Sequence, residues 1–184
     1  MSAVQKNVEP LPFAEVVTLH QRMIYGYLLR FTRNTHDAQD LFQETFLRAY
    51  RAYAALPTDA DLRAWLMRIA VNLSKNHVRD RHRRTRVLVD EEQGQEQVPT
   101  HFAENSSTTE QTMISRETAQ TLLTTIDALP FRQRTALIQR QFEGLEYDAI
   151  AANLECSPES ARAHVYQALR KLRVVLSVDQ QPSE

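Results

Sequence analysis

Arg68, Asn72, Lys75, Arg79 and Arg83 recur every three or four residues. A helix would bring them to one side. Four cations and one amide in such a row can follow a phosphate chain while the amide meets a base edge. The apolar residues of the same stretch, Leu62, Trp65, Leu66, Ile69 and Leu73, form a stripe about a third of a turn away. The stretch from Leu62 to Arg84 therefore has one side fit for burial and a neighbouring side that is wet and basic. Taken alone, an ordinary amphipathic helix with solvated charges is the default explanation. Its neighbours along the chain change that balance.

The second cluster lies upstream. Asp37, Asp40, Gln43, Glu44, Leu47 and Arg51 share one face of a helix predicted over about 36–54. Ala38, Leu41, Phe42, Thr45, Phe46, Ala49, Tyr50 and Tyr53 form its packing side. Acids in the first turns suit the helix dipole. An acidic face that also carries Leu47 suits docking on a cationic partner protein.

The third cluster is near the end of the chain. A short helix over 147–154, a turn at Glu155-Cys156, and a longer helix over 159–176 have the spacing of a helix-turn-helix. Ser157 is placed to cap the second helix, with Pro158 at its first position. Such a helix can enter a major groove, its first residues at the bases and its amino end near phosphate. Generic helical hairpins share the pattern.

Other elements must position these groups. Phe13, Val16, Val17, His20, Met23, Ile24, Tyr27, Leu28 and Phe31 predict a long helix ending near Arg33-Asn34, with Thr35 capping the next. Residues 55–61 are a short loop, in which Pro57 stops one helix and Asp59 or Asp61 caps the following one. The apolar period lapses near Thr85 and returns with Met113, Ile114, Ala119, Leu122, Leu123 and Ile126. A helix from Phe131 then places Ala136, Leu137, Ile138 and Phe142 inside, and Gly144 stands where a left-handed residue is expected. In the last helix Ala161, Val165, Leu169 and Leu172 are the buried side. Between the halves, about 86–111 is acidic, polar and rich in Ser and Thr, which predicts a flexible tether.

Composition narrows the function classes. Gly is scarce, at three residues in 184, and β-branched runs are short, so the chain reads as all-α. The net charge of −1 conceals a division. Residues 1–89 hold 14 Lys and Arg against 8 Asp and Glu, residues 90–127 hold 1 against 8, and the remainder is balanced. A phosphate partner responds to the local field of the first part. A single cysteine, Cys156, excludes an internal disulfide and a Cys-based zinc cluster. His164 has no second ligand three or four residues away, and no Gly-rich phosphate loop or nucleophile–base pairing is present, so an enzyme is not expected. Neither a long apolar run nor a signal-peptide pattern occurs, which predicts a cytoplasmic chain.

Three motifs in this order resemble the bacterial RNA polymerase sigma factors of the extracytoplasmic-function (ECF) type. They are DAQDLFQETFLRAY (Asp37 to Tyr50), LRAWLMRIAVNLSKNHVRDRHRR (Leu62 to Arg84), and LPFRQRTALIQRQFEGLEYDAIAANLECSPESARAHVYQALRKLR (Leu129 to Arg173). The resemblance implies two small helical domains, sigma region 2 over 13–85 and sigma region 4 over 112–176. An arm over 1–12, the linker over 86–111 and a tail over 177–184 complete the chain. It further implies that Asp40, Gln43, Glu44 and Leu47 bind core RNA polymerase at the clamp, with the flap as a further contact. Loop 55–61 with Arg68, Asn72, Lys75, Arg79 and Arg83 would read and open the minus-ten element of promoter DNA. Ser157, Glu159, Ser160, Arg162, Ala163, His164, Gln167 and Arg170 would read the minus-35 element. Where the family usually has Gly-Thr-Val-Lys-Ser-Arg, this chain has Glu159-Ser160-Ala161-Arg162-Ala163-His164. The resemblance calls for no cofactor or metal, and adds an anti-sigma factor as a class of partner. A stand-alone helix-turn-helix regulator is the rival reading; it needs a dimer interface and a basic C-terminal half, and neither is evident.

Overall fold

A computed structural model describes residues 11–89 and 110–178. Most of the expected arm, most of the tether and most of the tail lie outside the described residues. The described residues form seven helices and no strand, divided between two compact units, 1–74 and 75–184.

The first unit is built on α1 (Phe13–Thr32) and α2 (Thr35–Tyr53), which pack together. Val16, Ile24, Tyr27, Leu28 and Phe31 are the buried face of α1. The joint is tight. Arg33 takes a left-handed conformation, φ 55°, and its N–H donates to the Leu29 carbonyl at 2.9 Å. Asn34 then caps α2, its side-chain oxygen accepting from the Asp37 N–H at 3.0 Å. Thr35 was the expected cap. The left-handed turn at Arg33 ends α1 so abruptly that Asn34 already stands at the N-cap, and Thr35 falls inside the helix.

Aromatic rings extend this core. Phe13 meets the rings of Tyr50 and Tyr53 edge-on, each at 5.3 Å between centroids. The Tyr53 hydroxyl donates to the Leu11 carbonyl at 2.6 Å. Tyr50 nevertheless remains 66% exposed. It lies on the border of the packing side, not within it.

Helix α3 (Leu62–Val89) starts where Asp61 accepts from the Ala64 N–H at 3.0 Å. Its buried residues are Leu66, Met67, Ala70, Val71, Leu73 and Ser74. Leu62, Trp65 and Ile69 are only half-buried. The buried face is therefore turned from the predicted stripe toward Met67, Ala70, Val71 and Ser74, while Leu66 and Leu73 of the stripe stay buried. The Ser74 hydroxyl is satisfied internally, donating to the Ala70 carbonyl at 2.9 Å. Helix α3 runs to Val89, four residues beyond the point where the apolar period lapses, and the following helix starts at Glu110.

The second unit contains α4 (Glu110–Asp127), α5 (Phe131–Gln141), α6 (Tyr147–Leu154) and α7 (Pro158–Val178). Helix α7 packs on each of the other three. Leu129, Leu137 and Ala168 form one buried cluster, with Ile126, Leu169 and Leu172 against it. Ala119, expected on the apolar side of α4, is exposed. Arg134 bridges the α4–α5 joint with an ion pair to Asp127 at 2.6 Å. Phe142, expected inside, is 57% exposed. Helix α5 ends there, and the chain turns through Gly144 at φ 64°. The bend directs the Phe142 side chain away from the core that Leu145 enters.

A polar pair crosses this core. The Asn153 amide donates to the Gln139 side-chain oxygen at 2.7 Å, with both residues buried. The Gln139 amide nitrogen has no hydrogen-bond partner among the described residues. Asn153→Ala would orphan the Gln139 oxygen as well. It is expected to lower stability by about 1–3 kcal/mol, read as a lower urea midpoint at unchanged m-value.

Candidate nucleic-acid interface

On α2, Asp40, Gln43 and Leu47 are exposed and Glu44 is half-exposed, so the four form one accessible face. Its charges have near neighbours. The His36 ring nitrogen lies 3.1 Å from Asp40, and Arg48 contacts Glu44 at 2.6 Å. Both pairs sit in solvent, where such contacts are weak and readily exchanged for a partner's cations. Leu47, half exposed, adds apolar area to the face.

On α3, Arg68, Asn72, Lys75, Arg79 and Arg83 are all exposed. Exposed Arg81 and Arg84 add positive charge near its C-terminal end. Asp80 stands 3.6 Å from Arg83 and offsets one of these cations. The row is thus accessible along its length even though the buried stripe is rotated.

The helix-turn-helix is formed by α6 and α7. Glu155 takes the left-handed conformation, φ 52°, and the Cys156 N–H donates to the Ala151 carbonyl at 3.1 Å. Ser157 caps α7, its hydroxyl oxygen accepting from the Ser160 N–H at 3.2 Å. Glu159, Arg162, Ala163, Gln167 and Arg170 are exposed, whereas Ser160 is half-buried. The Glu159 carboxyl is held below its usual pKa by its own backbone N–H, then by the Ser157 hydroxyl and Arg162. It therefore stays ionised at neutral pH.

His164 and Gln167 are less available than their spacing implied. His164 is half-buried, and burial followed by the nearby Arg132 charge pushes its pKa down. It is therefore a neutral donor and acceptor at pH 7, not a cation. Gln167 accepts a hydrogen bond from the Gln133 amide at 2.8 Å, and Lys171 donates to the Gln133 oxygen at 3.0 Å. Helix α5 thereby fixes one side of α7.

Two residues that spacing did not single out belong to this surface. Tyr147, the first residue of α6, lies under the guanidinium of Arg162, with Cζ 5.0 Å from the ring centroid. Arg140, from α5, lies 4.9 Å from the same centroid. Arg140 and Arg162 are far apart in sequence, so no helical period connects them. Among the described residues no group of His, Cys, Asp and Glu could hold a metal, and no helix is long and apolar enough to cross a membrane.

The sigma-70 region 2 model matches residues 16–84, and the sigma-70 region 4 model matches residues 119–172. The RNA polymerase sigma-H factor of Pseudomonas aeruginosa is 36% identical over 157 residues, covering 85% of this chain and 81% of that protein. The chain belongs to the ECF sigma factors. The ECF RNA polymerase sigma-E factor of Escherichia coli K12 is 31% identical over 166 residues, covering 90% of this chain and 86% of that one. The fold agrees with the solved sigma factor RpoE of Bartonella quintana, in complex with the anti-sigma factor NepR. That match has a TM-score of 0.71 and 23% identity, covering 91% of this chain and 98% of that one.

This sigma factor is an alternative sigma factor that directs transcription initiation, and the stand-alone regulator is not favoured. Sigma factors as a class are initiation factors that act with RNA polymerase and have no catalytic chemistry of their own. The region 2 match runs from α1 into the basic part of α3. The region 4 match begins within α4 and includes α6, the turn and α7 as far as Leu172.

Proposed function

We propose that this sigma factor uses the α2 face to dock on core RNA polymerase and the α3 row to hold the minus-ten element. The α6–α7 surface reads the minus-35 element. The observation that carries this reading is the chemical opposition of two accessible faces in one region. Asp40, Gln43, Glu44 and Leu47 offer acid and apolar area to a protein, while Arg68, Asn72, Lys75, Arg79 and Arg83 offer cations and an amide to DNA. In this reading domain 13–85 grips polymerase and melted strand, domain 112–176 seats upstream on duplex, and 86–111 is the tether between them.

At the minus-35 element the contact set is Ser157, Glu159, Ser160, Arg162, Ala163, His164, Gln167 and Arg170. Its two cations, Arg162 and Arg170, meet phosphate or base edges, and neutral His164 reads a base edge. Such a protein performs no reaction itself and works in the cytoplasm, where core polymerase is. An anti-sigma factor that covers the α2 face is the natural antagonist.

The test is a set of promoter-selection and core-binding measurements on the same variants. Arg162→Ala with His164→Ala is expected to change the preferred upstream sequence at least fivefold in relative transcription, a loss of about 1 kcal/mol. Affinity for core is expected to stay within about twofold. An equal loss of core binding would show that α7 faces polymerase instead.

A further inference from the structure

Tyr147 couples the loop between α5 and α6 to the second helix of the helix-turn-helix. Arg140 is fixed at three places. Its Nη1 donates to the Leu145 carbonyl and to the Glu146 carboxylate, both at 2.9 Å, and its guanidinium lies over the Tyr147 ring. Arg162, by contrast, forms no salt bridge among the described residues. Its guanidinium lies over that same ring, 5.0 Å from the centroid, while the residue remains exposed.

Two cations do not share a small space unless something near them offsets their repulsion. The negative face of a tyrosine ring does so, and Glu146 neutralises Arg140. The order of restraint therefore runs from Leu145 and Glu146 in the α5–α6 loop to Arg140, from Arg140 to the ring, and from the ring to Arg162. A free arginine loses much rotamer freedom when it meets DNA; one already laid on a ring loses less.

We propose that Tyr147 is a positioning residue for promoter recognition, whose ring face holds Arg162 in the orientation that meets the upstream element. The proposal rests on the reading that Arg162 contacts that element. It assigns the role to the face of the ring and not to the hydroxyl. Arg140 pins the ring and Arg162 contacts DNA, so the tyrosine shapes sequence preference through its neighbour.

The test uses the full chain with core RNA polymerase and a promoter pool randomised in the upstream element. Four variants are compared: Arg162→Ala, Tyr147→Leu, Tyr147→Phe, and the Tyr147→Leu/Arg162→Ala double. Tyr147→Leu is expected to lower discrimination about two- to fivefold at the positions that Arg162→Ala affects. Tyr147→Phe is expected to keep it, and the double variant to match Arg162→Ala alone. If Arg162→Ala changes discrimination and Tyr147→Leu does not, the positioning role is wrong while the recognition reading stands. If Tyr147→Phe loses as much as Tyr147→Leu, the hydroxyl acts directly and the role is again wrong. If Arg162→Ala changes nothing, the recognition reading itself falls. A measurement on the free wild-type protein avoids any folding defect of the variants. The Arg162 Nε–H proton is expected to resonate upfield through the ring current, and to do so in Tyr147→Phe. An unshifted proton in the wild type overturns the proposal.

Discussion

Asp40→Arg combined with Glu44→Arg is expected to weaken association with core RNA polymerase by about a hundredfold. Like charges brought together at an interface cost several kcal/mol, and about 2.7 kcal/mol is a hundredfold in affinity. The pair reverses two carboxylates on a face that also presents Gln43 and Leu47. Glu44→Arg has a second consequence, because it places a guanidinium beside Arg48, whose present partner is the Glu44 carboxylate at 2.6 Å. The His36–Asp40 contact and the Arg48–Glu44 ion pair both lie in solvent, so little stability depends on them. The thermal midpoint is expected to move by only a few degrees. Fluorescence titration against core, with circular dichroism on the same samples, separates the two effects. Wild-type affinity in a folded variant would remove the α2 face from the interface.

Asn72→Ala combined with Arg79→Ala is expected to reduce run-off transcription more than tenfold while leaving core affinity within about twofold. The single changes are expected to differ in kind. Arg79→Ala removes a phosphate contact, so the log–log salt slope of promoter binding falls by about 0.7 to 0.9, the lower figure applying to single-stranded DNA. Asn72→Ala removes a hydrogen-bonding amide without a charge, so the slope is kept and preference for the minus-ten sequence is lost. Opening DNA costs a few kcal/mol per unstacked base, which only captured bases and backbone contacts can offset. Permanganate footprinting of the start region, over a series of salt concentrations, reads both. Footprints unchanged in the double variant would mean that the α3 row faces something other than the melted strand.

Much of this was legible in the residues. The α6–α7 pair illustrates why. Ser157, Pro158 and the apolar run of Ile150, Ala151 and Leu154 act locally, and α6 has the predicted bounds. Gly144 likewise adopts the left-handed conformation its position required. The exposed row on α3 was legible because charged side chains at helical spacing resist burial whatever packs nearby. Border residues were not. Tyr50 and Phe142 are apolar and correctly spaced, yet 66% and 57% exposed, because the packing around them covers only part of each ring.

The sequence by itself determined an all-α chain, the order of its helices and turns, and the residue types offered to protein and to DNA. Those properties depend on periodicity, caps and charge, which act over a few residues. Only the tertiary structure decided which side of α3 is buried, that Gln139 and Asn153 share a hydrogen bond in the core, and that Tyr147 lies under both Arg140 and Arg162. Each of these is a meeting of separate stretches of chain or a choice between faces. Local pattern limits how far a helix face can turn, but the side chains packed against it select the angle.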